Sequence, residues 1–234
     1  MSVPVVENSD VRMKMKNARL YCISTPPGPG QSYEKMFESV CRGGADIVQL
    51  RDKSLSSDEL LSLARRLLVI CRRYGSLFIV NDRLDVALAC DADGVHLGQE
   101  DMSLAEARRI VQDYGRVGGI DMTGKFLVGV STHSLEQALA AESGGANYIG
   151  CGPVFATPTK PDYGAVGLEL VSRYRQKVNV PFTAIGGIDE KNVRQVVDAG
   201  ARCVAVVRAV FGQSEPESAA RAIKKIVCSG EGVI

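Results

Sequence analysis

Short runs of apolar residues recur along the chain, and longer segments of mixed polarity separate them. Within each run the hydrophobic character is nearly continuous. This is typical of parallel strands that helices cover on both faces, and not of the alternating pattern of a half-exposed antiparallel sheet. The pattern predicts eight strands, over residues 20–24, 46–51, 77–81, 94–97, 126–131, 147–150, 182–185 and 203–207.

Helical start signals lie between these strands. Ser56 and Glu59 form a capping-box pattern. An apolar stripe at helical spacing follows them, made of Leu60, Ala64, Leu67, Leu68 and Cys71. The same start signal recurs as Ser103 with Glu106 and as Ser134 with Gln137. Strands and helices are therefore predicted to alternate along the chain.

A weak internal repeat supports one recurring unit. Gly-Ala followed by a polar residue precedes three of the predicted strands, with the glycines at 44, 145 and 200, where each suits the left-handed end of a helix. Eight strand–helix units without a linker favour a single (β/α)8 TIM barrel over residues 19–234, and an open doubly wound sheet is the structural alternative. Residues 1–18 show no sustained period, and we expect a loose N-terminal arm there.

Composition narrows the classes of partner. Lys and Arg total 28 against 27 acidic residues, so no global field attracts nucleic acid or an anionic membrane, and the expected ligand is small. No apolar run is long enough for a membrane span or a signal-peptide core, so a cytoplasmic location is expected. The seven scattered cysteines show no metal or disulfide spacing and are predicted to be reduced thiols. The sequence leaves open whether the protein forms a homo-oligomer.

The residues that follow the predicted strands are unusually polar. In a (β/α)8 barrel these positions form the catalytic face. They include Gln49, Arg51, Asp52, Lys53, Asn81, Asp82, Gln99, Glu100, Asp101, Ser131, Thr132 and His133, followed by the 152–160 loop and Gly186–Gly187. We predict that the functional site is built from this set.

Two segments are suited to anions. The 186–189 turn brings backbone N–H groups toward a helix start, although its glycines could serve only a tight turn and Asp189 only a cap. Thr157, Thr159 and Lys160 offer hydroxyls and a cation on a proline-punctuated loop, which could also be plain solvated loop.

Cations and carboxylates also cluster after the predicted strands. Arg51 and Lys53 are two apart and would point the same way on extended chain. Asp82 and Asp101 follow neighbouring strands and could share Mg²⁺, although a single Asp after a strand is often a cap. His96 fits a hydrogen-bonded structural histidine at least as well as a catalytic one, and it is left out of the catalytic set.

Six ordered segments at strand ends, 49–53, 79–82, 93–101, 129–131, 152–160 and 185–188, together resemble the thiamine phosphate synthase family. The likeness extends from residue 20 to about 226. It implies a barrel enzyme, a transferase of thiamine biosynthesis. Such an enzyme joins 4-amino-5-hydroxymethyl-2-methylpyrimidine diphosphate to 4-methyl-5-(2-phosphooxyethyl)thiazole and releases pyrophosphate.

The resemblance also implies roles for single residues. The pyrimidine diphosphate would be held by Gln49, Arg51, Lys53, Asn81, Ser131 and Lys160. The thiazole phosphate would be held by Thr157, Thr159, Gly187 and the backbone near Val207. One Mg²⁺ would lie on Asp82 and Asp101, and the catalytic group would comprise Lys160, Arg51, Lys53 and Ser131. In the implied dissociative mechanism these cations neutralise the charge that grows on the departing diphosphate.

One position departs from the family pattern. A serine is common shortly after the last strand, whereas this chain has Arg208. The side chain could add a cation to the thiazole phosphate or turn outward and leave only backbone contacts, and we expect the former because a buried Arg needs an anion. The 116–125 segment has no assigned role. Two rival functions are kept: a thiazole tautomerase that uses His133 as a proton shuttle, and a regulator that binds thiamine precursors without turnover.

Overall fold

Eight parallel strands close into a barrel in a computed structural model that describes residues 11–157 and 164–232. The order follows the sequence, and β8 pairs with β1 through Ala205 opposite Tyr21. This closure confirms the predicted barrel and excludes the open sheet. The strands are β1 Leu20–Ile23, β2 Ile47–Leu50, β3 Leu77–Asn81, β4 Gly94–Leu97, β5 Leu127–Thr132, β6 Tyr148–Cys151, β7 Phe182–Ile185 and β8 Cys203–Val206.

Helices connect the strands and surround the barrel. They are α1 Val11–Asn17, α2 Tyr33–Arg42, α3 Ser57–Tyr74, α4 Leu84–Ala89, α5 Leu104–Gly118, α6 Leu135–Ser143, α7 Gly167–Lys177, α8 Val193–Asp198, α9 Arg208–Phe211 and α10 Pro216–Cys228, with a 3-10 turn at Ser229–Gly232. None of the helices in the described ranges is long and apolar enough to cross a membrane.

The predicted helix starts are confirmed. Before α3, Ser56 Oγ accepts the Glu59 backbone N–H at 3.3 Å, while the Glu59 carboxylate accepts the Ser56 N–H at 2.9 Å. Two otherwise unpaired donors of the first turn are satisfied in this way. Ser103 and Ser134 cap α5 and α6 through the backbone N–H groups of Glu106 and Gln137.

The Gly-Ala-polar repeat has a structural reason. Gly44 and Gly145 adopt φ of 94° and 84°, as does Gly200 at 108°, which few other residues tolerate. The polar residue that follows can then accept from the start of the preceding strand, as Asp46 does from the Leu20 N–H at 3.0 Å and Asn147 from the Val128 N–H at 2.8 Å.

The apolar core has two parts. The larger lies between the barrel and the helices, and the smaller fills the barrel lumen. The lumen part contains Tyr21, Ile23, Ile47, Leu77, Ile79, Leu127, Tyr148, Cys203 and Ala205. All seven cysteines are free thiols, as predicted, and only Cys228 is exposed.

The loose arm predicted over residues 1–18 is wrong for its second half. Residues 11–17 form α1, and Val11, Met15 and Ala18 are buried in the lumen core at the amino-terminal face of the barrel. The Val11 N–H donates to the Gly124 carbonyl at 3.1 Å, ahead of β5. The helix covers apolar lumen residues that would otherwise face water. Residues 1–10 lie outside the described residues.

Candidate active site

A cavity of about 440 Å³ opens at the carboxyl ends of the strands. Ten of the predicted site residues line it: Gln49, Arg51, Lys53, Asn81, Asp82, Asp101, Ser131, Thr157, Gly187 and Val207. Thr159 and Lys160, predicted for the same site, lie outside the described residues. The strand-end residues of distant parts of the chain therefore share one pocket, as the barrel geometry predicts.

Gln49 and Arg51 are fixed at the end of β2. Gln49 is 1% exposed, and its Nε2 donates to the Tyr21 hydroxyl at 2.6 Å. The backbone N–H of Arg51 donates to the buried Ser24 Oγ at 2.9 Å. These bonds to the neighbouring strand β1 set where both side chains leave the barrel, and so preorganise this side of the pocket.

The loop that carries Lys53 is held by Asp52. Its carboxylate accepts the Tyr33 hydroxyl at 2.5 Å and the Ser54 N–H at 2.7 Å. Burial acts to raise the pKa of Asp52, but the hydrogen bonds from Ser54 and Tyr33 outweigh it and hold this pKa below its ordinary value. Asp52 therefore stays ionised and anchors the loop to α2.

Asp82 and Asp101 come together at the ends of β3 and β4. Asp82 takes a left-handed φ of 61°, and its N–H donates to the His96 carbonyl at 2.8 Å. Burial and the nearby Asp101 carboxylate raise the pKa of Asp82, and Lys53, 3.4 Å away, only partly opposes them. Asp101 is itself oriented by the Gly98 N–H at 2.7 Å.

This carboxylate pair fits Mg²⁺. The ion prefers hard oxygen ligands and uses one or two carboxylates together with waters and substrate phosphates, rather than a full protein cage. In keeping with that, no group of three or more His, Cys, Asp or Glu side chains suited to a metal occurs within residues 11–157 and 164–232. The repulsion that raises the pKa of Asp82 is what a shared cation would relieve.

A chain of polar side chains crosses the barrel lumen beneath the cavity. Tyr21 and Tyr148, both buried, meet hydroxyl to hydroxyl at 3.1 Å. His96 continues the chain, with Nδ1 3.1 Å from the Tyr148 hydroxyl and Nε2 3.0 Å from Ser131 Oγ. The hydrogen bonding predicted for His96 is confirmed, and both His96 and its partner Ser131 line the cavity.

His133, the residue of the tautomerase alternative, also lines the cavity. Its Nδ1 lies 2.5 Å from the Gly152 carbonyl oxygen. A carbonyl only accepts, so Nδ1 carries the hydrogen, and the lone pair of a neutral ring is on Nε2.

No residue larger than glycine fits at Gly186 or Gly187 without a clash. A Cβ on Gly186 would lie 2.4 Å from the Pro153 Cβ, and one on Gly187 would lie 2.8 Å from the Ala156 carbonyl oxygen. Both glycines have positive φ. Asp189 accepts the backbone N–H groups of Lys191 and Asn192, which closes a turn ahead of α8. The N-cap position of this helix is Asn192, with no side-chain cap bond, so the interpretation of Asp189 as the cap is wrong. Phosphate binding at this turn stays a prediction.

Arg208 is exposed, so the argument that a buried Arg needs an anion is wrong for this residue. It is the first residue of α9 and lies at the cavity wall next to Val207. A contact with a bound anion would therefore be made from the solvent side of the pocket.

Two polar wall residues were missed by the sequence reasoning, Thr25 and Gln213. Thr25 comes just after β1, and the residues that follow a barrel strand belong to the catalytic face, so its position was a usable signal. Gln213 lies beyond α9, and no sequence pattern marked it. Its Nε2 donates to the Arg208 carbonyl at 3.0 Å.

Comparison with known proteins identifies the family. The family model described as "Thiamine monophosphate synthase" matches residues 20–210. The chain belongs to this family. A thiamine-phosphate synthase of Shouchella clausii is 43% identical over 211 residues, which cover 89% of this chain and 96% of the relative. Among solved structures, a thiamine phosphate pyrophosphorylase of Pyrococcus furiosus is similar with a TM-score of 0.82 and 35% identity, covering 93% of this chain and 99% of that one.

Other members of the thiamine monophosphate synthase family are longer. The chain is 41% identical over 218 residues to a thiamine-phosphate synthase of Thermosynechococcus vestitus, and it spans 93% of its own length but 58% of that relative. The resemblance inferred from the strand-end segments is confirmed, and so is the transferase class that it implied.

Proposed function

We propose that this chain condenses 4-amino-5-hydroxymethyl-2-methylpyrimidine diphosphate with 4-methyl-5-(2-phosphooxyethyl)thiazole to give thiamine phosphate and pyrophosphate. The observation that supports it best is the convergence of Arg51, Lys53 and Asn81 with a carboxylate pair in one cavity. This donor set suits a diphosphate better than an uncharged ligand. Small molecules in the cytoplasm are its proposed partners.

The proposed reaction requires the negative charge on the departing diphosphate to be neutralised. The bond between the pyrimidine methylene carbon and the diphosphate oxygen breaks, and the electron pair leaves with pyrophosphate. The thiazole nitrogen then gives its lone pair to the methylene cation, which forms the carbon–nitrogen bond. Arg51, Lys53 and Lys160 would stabilise the negative charge on the departing group, since fixed cations act most strongly where charge develops.

Asp82 and Asp101 would hold one Mg²⁺ at the mouth of the cavity. When bound, the ion would neutralise charge on the diphosphate and orient it. Lys53 would contribute from the same side, because its Nζ already lies 3.4 Å from the Asp82 carboxylate.

The second substrate would bind across the cavity. Gly187 and Thr157 both line this cavity. Thr157, Thr159, Gly187 and the backbone at Val207 would hold the thiazole phosphate, with Arg208 at the rim.

The placement of His133 in the cavity supports one alternative, the thiazole tautomerase. With Nδ1 bonded to the Gly152 carbonyl, the neutral ring could accept a proton at Nε2. That reaction releases no pyrophosphate, so the product separates the two functions.

The test measures pyrophosphate and thiamine phosphate after the purified protein is mixed with both substrates and Mg²⁺. Wild type should release both in equal amounts, while Arg51→Ala and Lys160→Ala should lower kcat by about 10²-fold or more. Arg73→Ala is the matched control, since Arg73 is exposed on α3 beside Glu38, away from the cavity. No release by wild type, or near-normal turnover in both site variants, would overturn the proposal.

A further inference from the structure

We propose that Tyr148 is a positioning residue that links Gln49 to Ser131 through the barrel lumen. Through this link, whether Gln49 donates or accepts a hydrogen bond in the pocket decides whether Ser131 accepts or donates one. The pocket therefore selects a ligand with one donor and one acceptor. The inference rests on the proposed function, because it takes Gln49 and Ser131 as residues that face the pyrimidine diphosphate. It goes further by making their two contacts dependent on each other.

The coupling element is a continuous chain of five hydrogen-bonded side chains. From Gln49 Nε2 the distances are 2.6 Å to the Tyr21 hydroxyl, 3.1 Å from there to the Tyr148 hydroxyl and 3.1 Å onward to His96 Nδ1. The last link, from His96 Nε2 to Ser131 Oγ, is 3.0 Å. The chain begins and ends at residues of the cavity wall, Gln49 and Ser131, and His96 also lines the cavity. Both tyrosines are fully buried.

The strands are shaped to let this chain pass. Gly129 lies opposite Tyr148 in the pairing of β5 with β6. A Cβ on Gly129 would lie 2.1 Å from the Tyr148 Cζ and 2.6 Å from its hydroxyl oxygen, so it would overlap the phenol. Only glycine leaves room for the phenol in this position, so the lumen is built around Tyr148.

Hydrogen counting then limits the chain. Each tyrosine hydroxyl has one hydrogen, and burial raises the pKa of Tyr21 and of Tyr148 well above the ordinary value, so both keep it. When the His96 ring is neutral, it too has one N–H. Two arrangements place one hydrogen in every link: all donors point from Gln49 toward Ser131, or all point the other way. Any mixture leaves a link with two hydrogens or none, which is costly in a buried site.

The two ends are therefore linked. When Gln49 gives an N–H to the chain, its Oε1 accepts from the pocket, His96 donates to Ser131 and the Ser131 hydroxyl can donate to the pocket. When the chain reverses, the Gln49 amide turns over so that its Oε1 accepts from Tyr21, its Nε2 then donates to the pocket, and Ser131 accepts from the pocket. In both arrangements the pocket faces one donor and one acceptor. The 4-aminopyrimidine diphosphate matches this, since its amine donates while its diphosphate and ring nitrogens accept.

Replacing Tyr148 by Phe removes the central link and makes the ends independent. Both could then donate, and a ligand with acceptors only would be penalised less. The test compares kcat/KM for the 4-amino substrate with that for its 4-methoxy analogue, which has acceptors only at that edge. One mismatched polar contact corresponds to about 10-fold or more, so the preference for the amine should fall by about 10-fold in Tyr148→Phe.

Tyr174→Phe is the matched control. It also removes a fully buried hydroxyl, but this one bonds Thr132 Oγ1 at 2.9 Å and the Ser134 carbonyl at 2.8 Å, outside the polar chain. Its preference for the amine should equal that of wild type. An unchanged preference in Tyr148→Phe, or an equal fall in Tyr174→Phe, would refute the coupling.

A second readout needs no substitution. ¹⁵N spectra of the His96 ring in wild type, with the pyrimidine diphosphate bound, should show a single neutral tautomer, because a bound donor–acceptor ligand selects one arrangement. A mixture of tautomers in the complex overturns the proposal even if Tyr148→Phe does not fold. If wild type binds the pyrimidine diphosphate but releases no pyrophosphate with both substrates present, the proposed function is refuted, whichever tautomer His96 adopts.

Discussion

Replacing Asp82 by Asn should make the metal-free protein more stable and the enzyme nearly inactive. Asp82 has a side chain that is only 22% exposed and shares its surroundings with Asp101, and both burial and that neighbour raise its pKa. Its charge is therefore a cost to the folded protein without a cation. Asn keeps the shape, and it tolerates the left-handed φ of 61° at least as well as Asp.

The size of the effect follows from opposing contributions. Relief of desolvation and of the repulsion with Asp101 is worth about 1 kcal/mol once solvent screening is allowed for. Loss of the pair with Lys53, whose side chain is 66% exposed, costs up to about 0.5 kcal/mol. The net gain of about 0.5–1 kcal/mol corresponds to a Tm increase of about 1–4 °C for a chain of this size.

The assay is thermal unfolding in EDTA and again with Mg²⁺ and pyrophosphate, beside steady-state turnover. In EDTA Asp82→Asn should melt above wild type, whereas Mg²⁺ with pyrophosphate should stabilise wild type more and reverse the order. Turnover should fall by about 10²-fold or more. Asp85→Asn is the control, because Arg83 at 2.6 Å lowers the pKa of this exposed carboxylate and its loss should not stabilise. A Tm several degrees below wild type in EDTA would contradict the reasoning.

Three further substitutions test other parts of the molecule. Gly129→Ala places a Cβ 2.1 Å from the Tyr148 ring. Urea unfolding should show that the free energy of unfolding falls by about 1–3 kcal/mol. An unchanged free energy of unfolding would mean that the lumen can accommodate the extra methyl group. Lys224→Met removes the 2.8 Å ion pair with Asp46, so stability should fall by about 1–3 kcal/mol with both KM values unchanged, and a raised KM would show that this face reaches the site. Arg208→Ser should raise the KM for the thiazole phosphate about 10-fold, and an unchanged KM would place the side chain away from that anion.

Much of the fold was predictable because parallel barrel strands are buried on both faces. Their apolar runs have sharp ends, and the predicted bounds of 77–81, 94–97 and 182–185 agree with β3, β4 and β7. The ends of β5 and β6 each extend one residue further than predicted, to Thr132 and Cys151. Thr132 is polar by type, yet it is fully buried because its hydroxyl bonds the Gly150 carbonyl at 2.7 Å.

What sequence could not supply is how side chains from distant strands meet. Tyr21 and Tyr148 read as ordinary strand residues, and only the barrel closure brings their hydroxyls together. The missed helix α1 has too short a signal, since Val11 and Met15 alone mark its buried side. The wall residues were found because their positions follow from topology, whereas contacts such as Asp52 with Tyr33 depend on loop conformation.

Helix α1 determines where the protein can be shortened or fused to a tag. Met15 is 2% exposed and Ala18 is 1% exposed, which makes this segment the floor of the barrel and not a leader that can be trimmed. A shortened version that starts at residue 20 would expose the lumen to solvent at the end opposite the cavity. The apolar surface exposed there would favour aggregation. Purification tags and fusion partners are better joined upstream of residue 11, and a soluble, fully active truncation at residue 20 would show that the floor is dispensable.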